Sequence, residues 1–418
     1  MPFITDQQIV PYPAAPPKPG PAGTVITDPF CGSLMLRVTD GNTAGGAMFS
    51  TNSSSEDNPW AADSSSFVVL NRHTGGQVRF TFDPDNFAAA KLGPLPIGGA
   101  EFSWSNPKLM WGVTGLKIEQ LDLTTGKVKV LADLAQHPEL GIPASPRWFL
   151  NSMSSDNYDK RCAVNMGPQQ NENYVLICWD VDLGLDFVNT QTGLHQGWAG
   201  SNQLANWQSF SMHDSRMDKS GTVVKTGFAT GGERVFWRPG TPIYQALKSS
   251  ASTPMDGHSA LGFNTYYGNR LGTVPFQFMS APHWNISAWQ NLMNPVPKPI
   301  AGWWSDYHIS VRPDGGDRQP IFIDAYNAQG NPKTPNTPLT SKAPGDNEIF
   351  ALATDHSGRW RRYAHHYSSG QGNFYAQPRG NVSPDGKFFM FTSDWMMTLG
   401  GTYPSQRTDV FILKIEDQ

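Results

Sequence analysis

The sequence predicts an all-β chain folded as a single seven-bladed β-propeller, and three observations carry that prediction. Short strands rich in Val, Ile, Phe and Met alternate with turns of Asp, Asn, Pro, Ser and Gly. In AQPRGNVSPDGKFFMFTSDW (376–395) a Pro-Asp-Gly turn leads straight into an apolar strand, a local hairpin signal. The same pattern recurs in VRPDGGDRQPIFIDA (311–325), MDKSGTVVKTGFA (217–229), SSDNYDKRCAVNM (154–166), WSNPKLMWGVT (104–114) and WAADSSSFVVLN (60–71). Composition agrees: 41 Gly, 34 Pro and 14 Trp in 418 residues suit many tight turns around an aromatic-filled core. Internal repetition at this pitch is the mark of radial assembly, which leaves few strand edges unpaired.

Taken in chain order, residues 1–30 read as a Pro-rich arm, with PYPAAPPKPGPAG (11–23) of polyproline character. The start shows no basic segment followed by an apolar run, so no signal peptide is read there. Either the protein is cytoplasmic or Met1 replaces a removed leader; the Asn-, Ser- and Thr-rich, Lys-poor composition leans toward export. Free of charge runs, the arm suits docking on a second subunit, so self-association through it is expected. The ring itself is expected over 31–418. Strand SLMLRVTD (33–40) precedes the first full unit and TDVFILKI (408–415) ends the last, so the two are expected to pair and close the ring. Seven units follow near 45–93, 98–135, 145–190, 207–250, 255–294, 305–368 and 375–415. LKIEQLDLTTGKVKVLADL (116–134) shows the strand–turn–strand grammar inside one unit. Only 242–248 and 285–293 read as short helices.

Several functional classes are excluded. Net charge is −4 and charged residues are 16%, so no basic footprint for nucleic acid exists. No apolar run approaches the roughly 18 residues that would span a bilayer. Phosphate-binding Gly-rich loops, the Gly-x-Ser-x-Gly elbow, His-Glu-x-x-His and calcium-loop spacing are all missing. Cys31, Cys162 and Cys178 match no metal-site spacing. Cys162 and Cys178 flank a hairpin and either pair across it or, more simply, stay as buried free thiols.

A propeller brings the residues just upstream of each unit's first turn to the central channel. The third unit supplies Arg147, the fourth His213, the fifth His258, the sixth His308, and the seventh Gln377, Arg379 and Asn381. His213, His258 and His308 are 45 and 50 residues apart, about one blade each. Imidazoles so placed can hold a divalent metal or act as a general base near neutral pH. Arg147 and Arg379 can clamp a carboxylate. The segment RRYAHHYSSGQGNFYAQP (361–378) carries His365, His366 and Tyr375 toward the same mouth. Trp284, Trp304 and Tyr307 offer flat rings near His308 for sugar faces. Each of these side chains has an ordinary packing role as its simpler alternative.

The stretches ITDPFCGSLMLRVTDG, WAADSSSFVVLNR and AQPRGNVSPDGKFFMFTSDW…TDVFILKI resemble bacterial propellers related to oligogalacturonate lyase and, more distantly, to the propeller of the Tol system. That resemblance implies β-elimination of uronic-acid oligomers, assisted by a divalent ion (manganese, calcium or zinc) held by His and Gln near the channel. His308 falls where a blade-six ligand of that family lies, and Gln377 is the candidate glutamine. The histidines the family places just before the Ser-Pro-Asp-Gly turn are replaced by QPRGN, leaving His365 or His366 to substitute. On this reading Arg379 and Arg147 neutralise the uronate carboxylate, His213 or His258 removes the α-proton, and Tyr266 or Tyr267 protonates the leaving oxygen. The expected partner is an acidic oligo- or polysaccharide. Two rivals stand: a non-catalytic exported propeller that binds carbohydrate or protein, and a hydrolase using Asp214, Asp256 or Asp306.

Overall fold

Strands with apolar residues on both faces must be covered on both sides, and a ring of wedge-shaped sheets does this without a terminal layer. The structure, a computed structural model, describes residues 3–6, 8–10, 12–52, 54–169, 171–198, 200–228, 234–247, 258–270, 277–283, 285, 288, 290–292, 306–312, 318–326, 334, 335, 337, 344–370 and 374–415. It shows seven antiparallel sheets in a β-propeller with almost no helix. The innermost strands are Phe49–Ser50, Gly98–Phe102, Phe149–Ser155, Met212–Met217, Ala260–Leu261, Asp306–Ser310 and Asn381–Val382, for blades one to seven in that order.

Closure follows the predicted pairing. In blade seven, Asn381–Val382, Phe388–Ser393 and Asp409–Lys414 come from the C-terminal end, and Leu34–Arg37 then Val25–Thr27 from the N-terminal end. Met35 lies opposite Leu413, and Leu36 opposite Ile412. The almost fully buried Arg37–Asp409 ion pair, 2.5 Å apart, locks the seam. Aromatic and aliphatic side chains fill the wedges between blades. Phe389, Phe391, Phe411 and Leu413 of blade seven meet Phe322, Ala351 and Tyr363 of blade six. Each such burial is worth roughly 1.5–3 kcal/mol, so the blades hold one another in place.

Local structure departs from the sequence reading at three places. Tyr244–Leu247, inside the expected helix 242–248, is instead the outer strand of blade four, paired with Arg234–Trp237. In the other expected helix, 285–293, Gln290–Asn291 form a strand, while 286, 287, 289 and 293 lie outside the described residues. A neighbouring strand edge with unpaired backbone groups outweighs weak local helix preference. Blade three gains two extra strands, Leu194–Gly197 and Gly200–Gln203. They are fastened to blade four through Asp186, whose carboxylate meets His195 Nε2 at 2.9 Å and accepts the Gly240 N–H. Cys162 and Cys178 are buried free thiols; Cys178 faces Ala163 across the hairpin, one step out of register with Cys162.

The N-terminal arm lies on its own ring. Ile4 and Arg362 exchange backbone hydrogen bonds at 2.8 and 2.9 Å, adding an edge to blade six. Trp360 Nε1 donates to the Thr5 carbonyl at 3.2 Å, and Trp395 Nε1 to that of Pro17 at 2.6 Å.

One segment of blade one crosses the axis. After the two-residue inner strand, residues 51, 52 and 54–60 run inward. The Glu56 carboxylate accepts from Lys225 Nζ of blade four at 2.5 Å. Asp57 pairs with Arg216 at 2.6 Å, and Asn381 of blade seven donates to the Ser55 and Asp57 carbonyls. Asn58 donates to the Phe102 carbonyl of blade two. A segment that touches blades two, four and seven together can only sit at the centre of the ring. Free space among these groups is about 10 Å³, hardly enough for one water.

Candidate functional site

The end of the channel where inner strands begin gathers the chemistry, and His308 is its centre. His308 lies opposite Asp324 in the blade-six hairpin, so both side chains emerge on one face. Nδ1 is 2.7 Å from Asp324 Oδ1, which makes it the protonated nitrogen and leaves the lone pair on Nε2. The other oxygen of Asp324 accepts the Gly380 N–H at 2.5 Å. A Cβ at residue 380 would stand 2.0 Å from the Phe389 ring and 2.8 Å from that oxygen, so only glycine permits the approach. Nε2 of His308 is buried and has no hydrogen-bond partner among the described residues. Burial first, then the neighbouring His258, Arg379 and His366, hold the imidazole pKa well below 6.5, so the ring is neutral.

Arg379 is the second unusual group. It is 0% exposed, yet Nε, Nη1 and Nη2 all lack an acceptor among the described residues. Its guanidinium lies over the rings of Phe374 (4.4 Å) and Tyr375 (5.3 Å), while Arg72 approaches the Tyr375 ring to 4.4 Å. Burial pulls its pKa down to about 10, opposed by Tyr375 and Tyr326. Its backbone sits at φ 43, a conformation that costs a non-glycine residue about 1 kcal/mol or more. A buried guanidinium without an anion is expensive, and such groups are normally paired. Gln377 Oε1, two residues away, is likewise buried and unpartnered.

The remaining expected residues divide sharply. His258 joins the centre: its ring is 4.1 Å from that of His308, and its Nδ1 is 2.8 Å from the Tyr307 carbonyl. Tyr375 joins as the ring between two guanidiniums. His213 and Arg147 are exposed, His213 bonding Asn171 at 2.5 Å, and no ring contact links His213 to His258 or His308 among the described residues. Tyr307 points the other way along its strand, into the blade-five core against Phe278 at 5.2 Å. Tyr266 is buried against Phe236 between blades four and five, and Tyr267 in the next cluster, so neither faces the channel. Trp284 and Trp304, with Asp256 and the side chain of Asp306, lie outside the described residues. Asp214 is held ionised beside Arg216.

The residues expected to hold a metal do not assemble. His366 uses both nitrogens, Nε2 toward the Ala325 carbonyl at 3.0 Å and Nδ1 accepting the Ser368 N–H at 2.9 Å. Burial pulls its pKa down to about 3. His365 is enclosed by the arm, its ring 4.4 Å from Tyr12 and 5.0 Å from Phe30, between Asp28 and Glu348. Among the described residues no group of three or more His, Cys, Asp or Glu is arranged to hold a cation. The positive charge beside His308 comes from Arg379.

Sequence reasoning missed Asp324, Arg72 and Phe374. Asp324 was reachable by registering 306–310 against 321–326; Arg72 sits in a turn and Phe374 opens a 3-10 helix, neither with a distinguishing signal.

No family model matches the chain, and no curated protein does. Among solved structures, an oligogalacturonate lyase in complex with manganese superposes with a TM-score of 0.58 at 13% identity, covering 99% of each chain. The oligogalacturonate lyase of Vibrio parahaemolyticus gives 0.58 at 12% identity over 94% of this chain and 97% of that one. TolB from Acinetobacter baumannii gives 0.35 at 12% identity, over 63% and 61%. The chain therefore has the propeller fold of the oligogalacturonate lyases.

Proposed function

We propose that the protein is a carbohydrate-active enzyme, a polysaccharide lyase that cleaves acidic, uronate-containing glycans by β-elimination in this blind channel. One observation carries the reading: among the described residues a wholly buried guanidinium without an anion stands beside an imidazole nitrogen without a donor. The likeness to structures titled oligogalacturonate lyase supports it at the level of fold.

On this reading Arg379 receives the uronate carboxylate, and its charge stabilises the negative charge that develops as the α-proton leaves. His308 Nε2 takes that proton. The C–H electron pair becomes the new carbon–carbon double bond, the bond to the β-oxygen breaks, and the leaving oxygen is protonated by water from the open mouth. The imidazolium then returns its proton to solvent. Asp324 holds the imidazole in the required tautomer. Substrate also tunes the base: an anion on Arg379 cancels one of the charges that depress His308, so proton affinity rises only once substrate is bound. Tyr375 and Phe374 flank the guanidinium as apolar surface for the sugar ring.

The test is direct. Pectate, ulvan, alginate and glycosaminoglycans are incubated with the protein, and the ultraviolet absorbance of an unsaturated uronate is followed. Activity on one of them, lost in His308→Ala and Arg379→Ala, is the expected result. Silence on all four, with retained binding of an acidic oligosaccharide, would leave the non-catalytic binding module instead.

A further inference from the structure

A second basic cavity lies at the other end of blade six. Its volume is about 630 Å³, within the roughly 300–1,000 Å³ typical of small-molecule sites. It opens between blades six and seven, lined by the turns that follow the inner strands, so it faces away from the channel mouth. Strand Ile321–Tyr326 connects the two ends, a separation of roughly 16 Å at about 3.3 Å per residue.

The sheet register explains why space exists there. Phe322, Ala351 and Arg361 stand in one row across blade six, facing blade seven. Pro320, Ala353 and Arg359 extend that wall, with the Ala353 N–H bonded to the Arg359 carbonyl at 2.9 Å. An alanine sits at the middle of each row, and an arginine ends it. Across the gap, Arg312 lies over the blade-seven turn, where a Cβ on Gly386 would come 2.5 Å from its Nη1. Arg318 completes the lining. Among the described residues the lining carries four guanidiniums and one carboxylate, Asp355, which is paired with Arg359 at 2.6 Å. Guanidinium forks match carboxylate and sulfate oxygens. The outer edge of blade six is occupied by Ile4, so an extended peptide finds no strand to join.

We propose that this cleft is a second, non-catalytic binding site for a small polyanion with an apolar face, an acidic glycan fragment of two or three sugars. Its anionic groups meet Arg318, Arg359 and Arg361 while its ring faces lie on the alanine floor. The site is independent of the elimination reading, because none of its residues enters the channel.

Calorimetric titration of Arg379→Ala protein, in which the channel cannot contribute its guanidinium, tests the proposal with trigalacturonate, a sulfated disaccharide and neutral maltotriose. Saturable binding of either anion, weakened by added salt and absent for maltotriose, is expected. Preference for one anion identifies carboxylate or sulfate as the source. The exposed double substitution Arg318→Ala/Arg359→Ala, and the filling substitution Ala353→Phe, should each weaken binding about tenfold or more. No saturable binding by either anion, equal binding of maltotriose, or undiminished affinity in the exposed double variant overturns the proposal.

Discussion

Arg379→Met separates the two demands placed on this residue. In the folded protein the guanidinium is held at about 10 instead of 12.5. At roughly 1.4 kcal/mol for each tenfold change in proton affinity, burial disfavours the charged form by about 3 kcal/mol. The unfolded chain keeps the proton up to about pH 12.5, so this penalty is complete at neutral pH and fades only between about 10 and 12.5. Ring contacts to Phe374 and Tyr375, at 4.4 and 5.3 Å, return about 0.5–1 kcal/mol each. Methionine fills similar space without charge, so the variant should be more stable by about 1–2 kcal/mol. For 418 residues that is a melting rise of about 1–2 °C. Elimination should meanwhile fall about 10²–10³-fold, the usual loss when one charge-stabilising donor goes. Thermal melts and the absorbance assay read the two effects separately. A variant destabilised by about 3 kcal/mol or more would refute the argument, because only a residue with an internal partner leaves such a deficit.

Four other outcomes follow from named contacts. Elimination should survive exhaustive chelation, since the described side chains supply charge and not metal ligands; activity lost to chelator and restored by manganese would reverse that conclusion. His213→Ala should lower the rate less than about tenfold, because this imidazole is exposed and outside the buried pair, and a larger loss would move the base to the rim. His366 has its folded pKa lowered to about 3, so it contributes stability above about pH 6.5 that is lost as pH falls toward 3. Denaturant midpoints of wild type and His366→Gln should converge over that window, and parallel curves would contradict the assignment. Lys225→Met strands the buried Glu56 carboxylate and should cost about 3–5 kcal/mol, most of it recovered in Glu56→Gln/Lys225→Met; additive losses in the double-mutant cycle would deny the coupling.

The ring was legible because its turns are chemical punctuation. Ser-Pro-Asp-Gly and its relatives recur blade by blade, and the alternating SLMLRVTD and TDVFILKI announced a matching pair of edges. The site was legible only in part. Spacing brought His258 and His308 into one place, but it could not assign faces. Tyr307 and His308 are adjacent in sequence and so must point to opposite sides of their strand, one into a core and one toward Arg379. Nothing in the sequence around Glu56 and Asp57 announces the cations that meet them, which arrive from blade four, over 150 residues away. His365 and His366 show the same limit: they are neighbours in sequence, yet one lies under the arm and the other is locked to Ala325 and Ser368.

The segment that crosses the axis turns a shape usually imagined as a pipe into a cup. Among the described residues nothing as wide as a sugar chain can be drawn through it, so on the proposed function a glycan would enter as a terminus or a short fragment from the one open side. Whatever is released has to climb out by the way its precursor entered.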